Sequence, residues 1–251
     1  MKRYWWSWVA VFLMGIWLGK LLMQPNGDMG TELPNFSAPQ PSATLPVFGQ
    51  EYPEPTVVQT GNQEGLPCNV KFTPLVARQL VSYDGPYLED GTEEELVGVA
   101  ALLVENTGTI GIECVQLVVS QGQRELVFDA TYVPPRGSVL ILEKNRQLYT
   151  QETIEGCRCK TFIPGTFDWE KDRIRIQQGK GFSMAVTNLT DQPMLVVRVF
   201  YKQHEGENDL YIGGITLSAV IPDLQPGETR EITPYRYAYG YSGVVAVVID
   251  S

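Results

Sequence analysis

Four cysteines carry the most reactive side chains of this chain: Cys68, Cys114, Cys157 and Cys159. An even number of thiols in an oxidising compartment can form a disulfide framework, and four of them allow three pairings. Cys157 and Cys159 stand two apart. On a strand both point to one face, where a bond between them would strain extended backbone. The spacing favours one or two bridges tying Cys157 and Cys159 to Cys68 and Cys114. A four-thiolate metal centre is a competing use, although zinc sites ordinarily space their paired cysteines C-x2-4-C rather than C-x-C. Buried free thiols are the third. No metal site and no cofactor are assigned.

The other titratable groups form no catalytic constellation. The one histidine, His204, falls in the polar stretch QHEGEND. No nucleophile in a recognisable setting accompanies it, so it reads as a solvated turn residue rather than a general base. Asp84, Glu89, Asp90 and the run Glu93, Glu94, Glu95 make an acidic loop. It lacks the alternating Asp/Asn ligands and fixed glycine of a calcium loop, and reads as a solvated face. Gly213 and Gly214 precede no helix that could cradle phosphate, and mark a bulge or bend in a strand. No catalytic residue is assigned, and the chain is read as a non-enzyme.

Tyr235, Tyr237, Tyr239 and Tyr241 recur at every second position of PYRYAYGYSG. If that stretch is extended, all four rings project to one side. Tyrosine serves protein interfaces and stacks on sugars. The four are therefore candidate partner-binding residues for a protein or glycan.

What would carry these groups begins with a run from Tyr4 to Met23, apolar except for Ser7 and Lys20, behind Lys2 and Arg3. About 20 apolar residues cross a hydrocarbon core as a helix. Trp5, Trp6 and Trp8 suit the headgroup layer, and Lys20 can snorkel at the far end. After Lys20 the next basic residue is Lys71, while five acidic residues fall between them. The positive-inside rule puts the N-terminus in the cytoplasm and the remainder outside. No small-residue cleavage site follows the apolar core. Residues 1–23 are read as an uncleaved, single-pass signal anchor in the cell membrane. Residues 24–67, rich in Pro, Gly, Ser and Thr, read as a tether. The formal net charge of -10, with no basic cluster beyond the anchor, argues against nucleic acid as a partner.

From Cys68 onward, short β-branched and aromatic runs separated by Gly, Pro, Asn and Asp predict an all-β sandwich or barrel. Strands are expected near 69–77, 96–105, 112–119, 124–132, 138–143 and 154–162. A second series is expected near 172–177, 181–188, 194–201, 209–220, 228–233 and 243–250. The two series repeat. LLVENTGTIGIECVQLVV matches SMAVTNLTDQPMLVVRVFY with Asn106 opposite Asn188, making Val115, Leu117 and Val119 the counterparts of Val197, Val199 and Tyr201 as inward positions. TYVPPRGSVLIL then matches AVIPDLQPGETREI, aligning Gly137 with Gly227. The repeat predicts two tandem sandwich modules, 68–165 and 166–251; one larger sandwich with a shared core is the alternative.

Asn188, Leu224, Pro226, Gly227, Glu228 and the terminal Val248, Ile249 and Asp250 give this half a pattern that resembles the Ig-like sandwiches of exported bacterial proteins, of the cell-adhesion-related domain type. Asn106 and Gly137 carry the resemblance more weakly. It implies two Ig-like antiparallel modules acting in adhesion, spacing or protein contact without catalysis. The expectation is a membrane-anchored, extracytoplasmic binding or spacer protein with a protein or glycan partner. The alternatives are an accessory subunit of an envelope secretion or surface-assembly complex, and a cryptic metal-binding protein or enzyme.

Overall fold

The structure is a computed structural model that describes residues 56–58, 63–90, 92, 94–165, 172–179, 181–204, 210–238 and 240–250. The expected anchor, 1–23, and most of the tether lie outside the described residues. Among the described residues no helix is long and apolar enough to cross a membrane. They fall in one compact unit, Glu51–Ser251.

The regular elements among the described residues are all strands. The strands are β1 (Thr56–Val58), β2 (Cys68–Asn69), β3 (Leu75–Pro86), β4 (Glu95–Asn106), β5 (Gly111–Gln121), β6 (Arg124–Ala130), β7 (Ser138–Leu142) and β8 (Gly156–Gly165). They continue as β9 (Ile174–Gln178), β10 (Met184–Asn188), β11 (Met194–His204), β12 (Leu210–Leu224), β13 (Thr229–Ile232) and β14 (Ser242–Asp250). The proline-rich segment contributes β1, which pairs with β3. The longest strand missing from the expected set is the second half of β3. Its RQLVSYDGP carries turn residues inside a strand, and two register shifts, at Ala77/Gln79 and Tyr83/Gly85, absorb them.

Two three-stranded sheets face an eight-stranded one. The large sheet runs β1-β3-β4-β7-β12-β11-β14 with β2 on β3, and the small ones run β6-β5-β8 and β13-β10-β9. The repeat is visible strand for strand. The order β3-β4-β7 reappears as β9-β10-β13, and β6-β5-β8 reappears as β12-β11-β14. One core packs β5, β6 and β8 on β3, β4 and β7; a second packs β9, β10 and β13 on β11, β12 and β14. All six expected inward residues, Val115, Leu117, Val119, Val197, Val199 and Tyr201, are fully buried. Burying such side chains is worth about 1.5–3 kcal/mol each.

The same asparagine device closes both halves. Asn106 donates from Nδ2 to the carbonyls of Ile110 and Pro134 and accepts the Gly108 N–H. Asn188 donates to Gln192 and Leu224 and accepts the Thr190 N–H. Each is 0% exposed, so the amide satisfies backbone groups that would otherwise be stranded where the chain crosses between sheets. Each turn that meets it is type II. Gly137 N–H donates to Pro134 O and Glu228 N–H to Gln225 O, with Pro135 and Pro226 at the second position. The third position is left-handed, occupied by Arg136 (φ 54) in one turn and Gly227 (φ 71) in the other. Gly137 thus corresponds to Glu228, one place on from the sequence alignment.

The two halves meet where β7 and β12 pair in parallel over Ser138–Leu140 and Leu210–Ile212. Beside that junction a third apolar cluster joins Val81, Tyr83, Leu88, Leu140 and Leu142 to Ile212.

Candidate functional site

Chemistry concentrates at the β7–β12 junction. Opposite β11, the partner of Gln203 is Ile212 and the partner of Tyr201 is Leu217, so the stretch between Ile212 and Leu217 bulges out of register. The peptide groups of Gly213, Gly214 and Ile215 lose their sheet partners there, and unpaired buried backbone is costly. Two charged side chains replace those partners. Glu89 accepts the N–H groups of Gly214 (2.7 Å) and Ile215 (3.1 Å), and also that of Leu142 on β7 (3.0 Å). Lys202 donates from Nζ to the carbonyls of Gly213 (3.1 Å), Gly214 (2.9 Å) and Ile215 (2.7 Å). Thr131 adds its N–H to the Gly214 carbonyl.

Both glycines are required by this arrangement, and the bulge expected at Gly213 and Gly214 is present. A Cβ on Gly214 would lie 1.8 Å from the Asp129 carbonyl oxygen, and Gly213 has φ +84 with Leu88 3.1 Å from where a Cβ would stand. Lys202 is 1% exposed. Burial pushes its ammonium well below the ordinary value, against the attraction of Glu89. Glu89 is half-buried as a residue, but its carboxylate is enclosed. That desolvation raises it, while the Gly214, Leu142 and Ile215 N–H groups and Lys202 pull the other way. A depression lined by Leu88, Lys202, Ile212, Ile215 and Arg236 holds about 10 Å³, no more than the space of one water molecule. The arrangement binds backbone rather than a substrate.

Arg236 leads to the tyrosine stretch, which is not extended. Arg236 has φ 55, and Tyr237 and Tyr241 N–H donate to Pro234 and Ala238 O in successive turns. The described rings, of Tyr235, Tyr237 and Tyr241, therefore do not share a side. Tyr237 is 0% exposed and meets Tyr201 edge-on at 5.6 Å, while the Tyr201 hydroxyl donates to the Tyr235 carbonyl. Tyr235 and Tyr241 remain 58% and 53% exposed. Tyr239 lies outside the described residues. The four-ring ladder is corrected to two exposed tyrosines flanking a core tyrosine.

Of the acidic loop, Glu93 lies outside the described residues and Glu89 is enclosed at the bulge rather than solvated, while other members are tied into the surface. Arg146 pairs with Asp90 and Glu94 and lies 4.6 Å over the Tyr87 ring. The Thr92 hydroxyl and N–H, with Arg146, hold Asp90 at about 2. Asp84 accepts the Gly98 N–H. Among the described residues no group of three His, Cys, Asp or Glu stands together as metal ligands would. His204 ends β11, half-buried, its ring edge-on to Tyr211 at 6.4 Å, rather than in a solvated turn.

Four free cysteines are present. Cys68 on β2 and Cys157 on β8 are brought together where the two strands adjoin, both packed on the same core. Cys159 donates to Thr161 O. Cys114 stands apart, opposite Ile163 in the register. Residues that sequence reasoning missed are Lys202 and Glu143. The latter is fully buried and accepts the N–H groups of Val127, Asn145 and Gln147. A lysine inside an apolar strand, VVRVFYKQ, is the one available signal for the first. No family model matches the chain, and no curated protein matches it.

Proposed function

We propose that the chain is a non-catalytic contact protein, anchored by residues 1–23 in the cell membrane and displaying two Ig-like β-sandwich halves outside the cytoplasm. The observation that carries this reading is the outer face and edge of β14. Arg198 on β11 is flanked in register by Val220 on β12 and Val248 on β14. Those valines are 52% and 45% exposed, and Leu195 nearby is 58% exposed. Among the described residues β14 is hydrogen-bonded on one side only, and from Gly243 to Ile249 it carries no charge and no proline. Natural sheets usually blunt such an edge. One left open suits addition of an extended strand from a protein partner, and Tyr235 and Tyr241 offer further contact area. The charge balance and the apolar N-terminal run support the display.

The test places a photo-crosslinking residue at Val248, at Val220 or, as a control, at exposed Arg158 on β8, in the full-length protein in its own membrane. Adducts with a second protein at 248 and 220 but not 158, and retention in the membrane through alkaline carbonate, are expected. Equal labelling at all three positions overturns the contact face. Release by carbonate overturns the anchor.

A further inference from the structure

We propose that Cys68 and Cys157 are a redox-active pair that closes into one disulfide across the first core, while Cys114 and Cys159 remain thiols. The chain prepares this contact from both sides. Gln63 donates to the Thr150 and Glu152 carbonyls, and Ile154 N–H donates to Glu64 O at 2.9 Å. The Thr153 hydroxyl donates to the Glu64 carboxylate at 3.0 Å. Gly65 lies so close to the Ile154 carbonyl oxygen that a Cβ would stand 2.1 Å from it. Stretches 63–68 and 150–157 are thus zipped together before the cysteines meet.

Cys68 is in register with Ala77 on the large sheet, and Cys157 with Val119 on the facing one. Both side chains pack on the same core. The bond would tie the two layers at an edge where no main-chain ladder can. The pairings among Cys114, Cys157 and Cys159 lack this geometry. Cys114 is opposite Ile163, four residues along β8 from Cys159 and further from Cys157. At roughly 3.3 Å per residue that is well past the reach of a disulfide. Cys157 and Cys159 share one strand.

The exchange has a defined direction. The Cys157 neighbour lowers the Cys68 thiol, while Cys68 and burial raise that of Cys157, so Cys68 is the attacking sulfur. Its thiolate attacks one sulfur of a disulfide donor, forms a mixed disulfide and expels one donor thiolate. Cys157 then gives up its proton and attacks the Cys68 sulfur, expelling the second. Two protein thiols are oxidised and one donor disulfide is reduced to two thiols.

The experiment treats the full-length protein in detergent with oxidised glutathione, alkylates what is left under denaturing conditions, and maps the peptides by mass. The expected result is one cross-linked pair, 68 with 157, with Cys114 and Cys159 alkylated. Cys114→Ser and Cys159→Ser keep the bridge. Cys157→Ser leaves glutathione on Cys68. A bridge involving Cys114 or Cys159, or four alkylated cysteines, overturns the proposal. The wild-type map requires no variant to fold. It reads the pairing whatever compartment the protein occupies, so failure here is distinct from failure of the display reading.

Discussion

Glu89 and Lys202 hold two peptide units of β12 in common from opposite sides, the carboxylate taking the N–H groups of Gly214 and Ile215 and the ammonium the carbonyls of Gly213, Gly214 and Ile215. Glu89 comes from the first half of the repeat and Lys202 from the second. Three carbonyls match the three donors of an ammonium. The bulge they fill is where β12 passes from its parallel contact with β7 to its long ladder with β11. Two buried charges are spent on joining one half to the other.

The first prediction is a double-mutant cycle read by urea denaturation. Lys202→Met leaves carbonyls without donors and Glu89 without its counter-charge, and should lose about 3–5 kcal/mol. Glu89→Gln places an amide N–H against backbone N–H groups and should lose about 1.5–3 kcal/mol. The double variant should lose less than the two combined, with a coupling of about 0.5–3 kcal/mol. Strict additivity would show that the two side chains act independently.

The second concerns pH. Burial lowers Lys202 to about 7, with Glu89 opposing. Between that value and the ordinary lysine value the unfolded chain binds a proton that the folded chain does not, so stability rises with pH, by at most about 1.4 kcal/mol per unit. Glu89 runs the other way: raised by burial, its contribution is fully present below the ordinary carboxyl value and is lost as pH climbs through the raised one. The pair therefore contributes least near neutral pH. The stability difference between wild type and Lys202→Met should shift toward wild type from pH 7 to 10. A flat difference would remove the lysine from the account.

The repeat was legible in the sequence because both halves use the same local chemistry. Asn106 and Asn188 end a strand and face backbone carbonyls, and the alternation after each survives as the buried sets at 115, 117, 119 and 197, 199, 201. The junction was not legible. Lys202 and Glu89 are 113 positions apart in the sequence, and nothing local distinguishes a lysine that snorkels to water from one that turns inward onto a bulge. The tyrosine spacing misled for a related reason. A period of two implies one face only in extended chain, and Arg236 at φ 55 breaks that chain.

A third prediction uses the two type II turns. Arg136 pays for a left-handed conformation that Gly227 adopts freely, on the order of 1 kcal/mol. Arg136→Gly should hold or raise the urea midpoint, while Gly227→Ala should lower it, although nothing lies within 4 Å of its added Cβ. Equal losses in both would place the cost in side-chain contacts instead of backbone.

The tyrosines give a fourth. Tyr237→Ala empties a fully buried site and should lose about 3–5 kcal/mol, as large aromatic truncations in cores do. Tyr235→Ser and Tyr241→Ser, at exposed positions, should stay within about 0.5 kcal/mol of wild type and weaken crosslinking at Val248 if they border the contact. A large stability loss at either exposed position would make it part of the core.

The fifth isolates the junction from global stability. Gly214→Ala cannot be accommodated without moving Asp129, whose carbonyl oxygen stands 1.8 Å from the new Cβ. The displacement must separate β6 from the bulge and loosen whatever the bulge holds. Amides at Leu142, Ile215 and Thr131 bond directly to the clamp or to Gly214, whereas Asn188 N–H bonds to Glu228 O, away from it. Hydrogen exchange should therefore accelerate at Leu142, Ile215 and Thr131 while the Asn188 amide keeps its protection, the pattern of local opening. Acceleration at all four would mean that the halves unfold as one body and that the junction transmits rather than contains the damage.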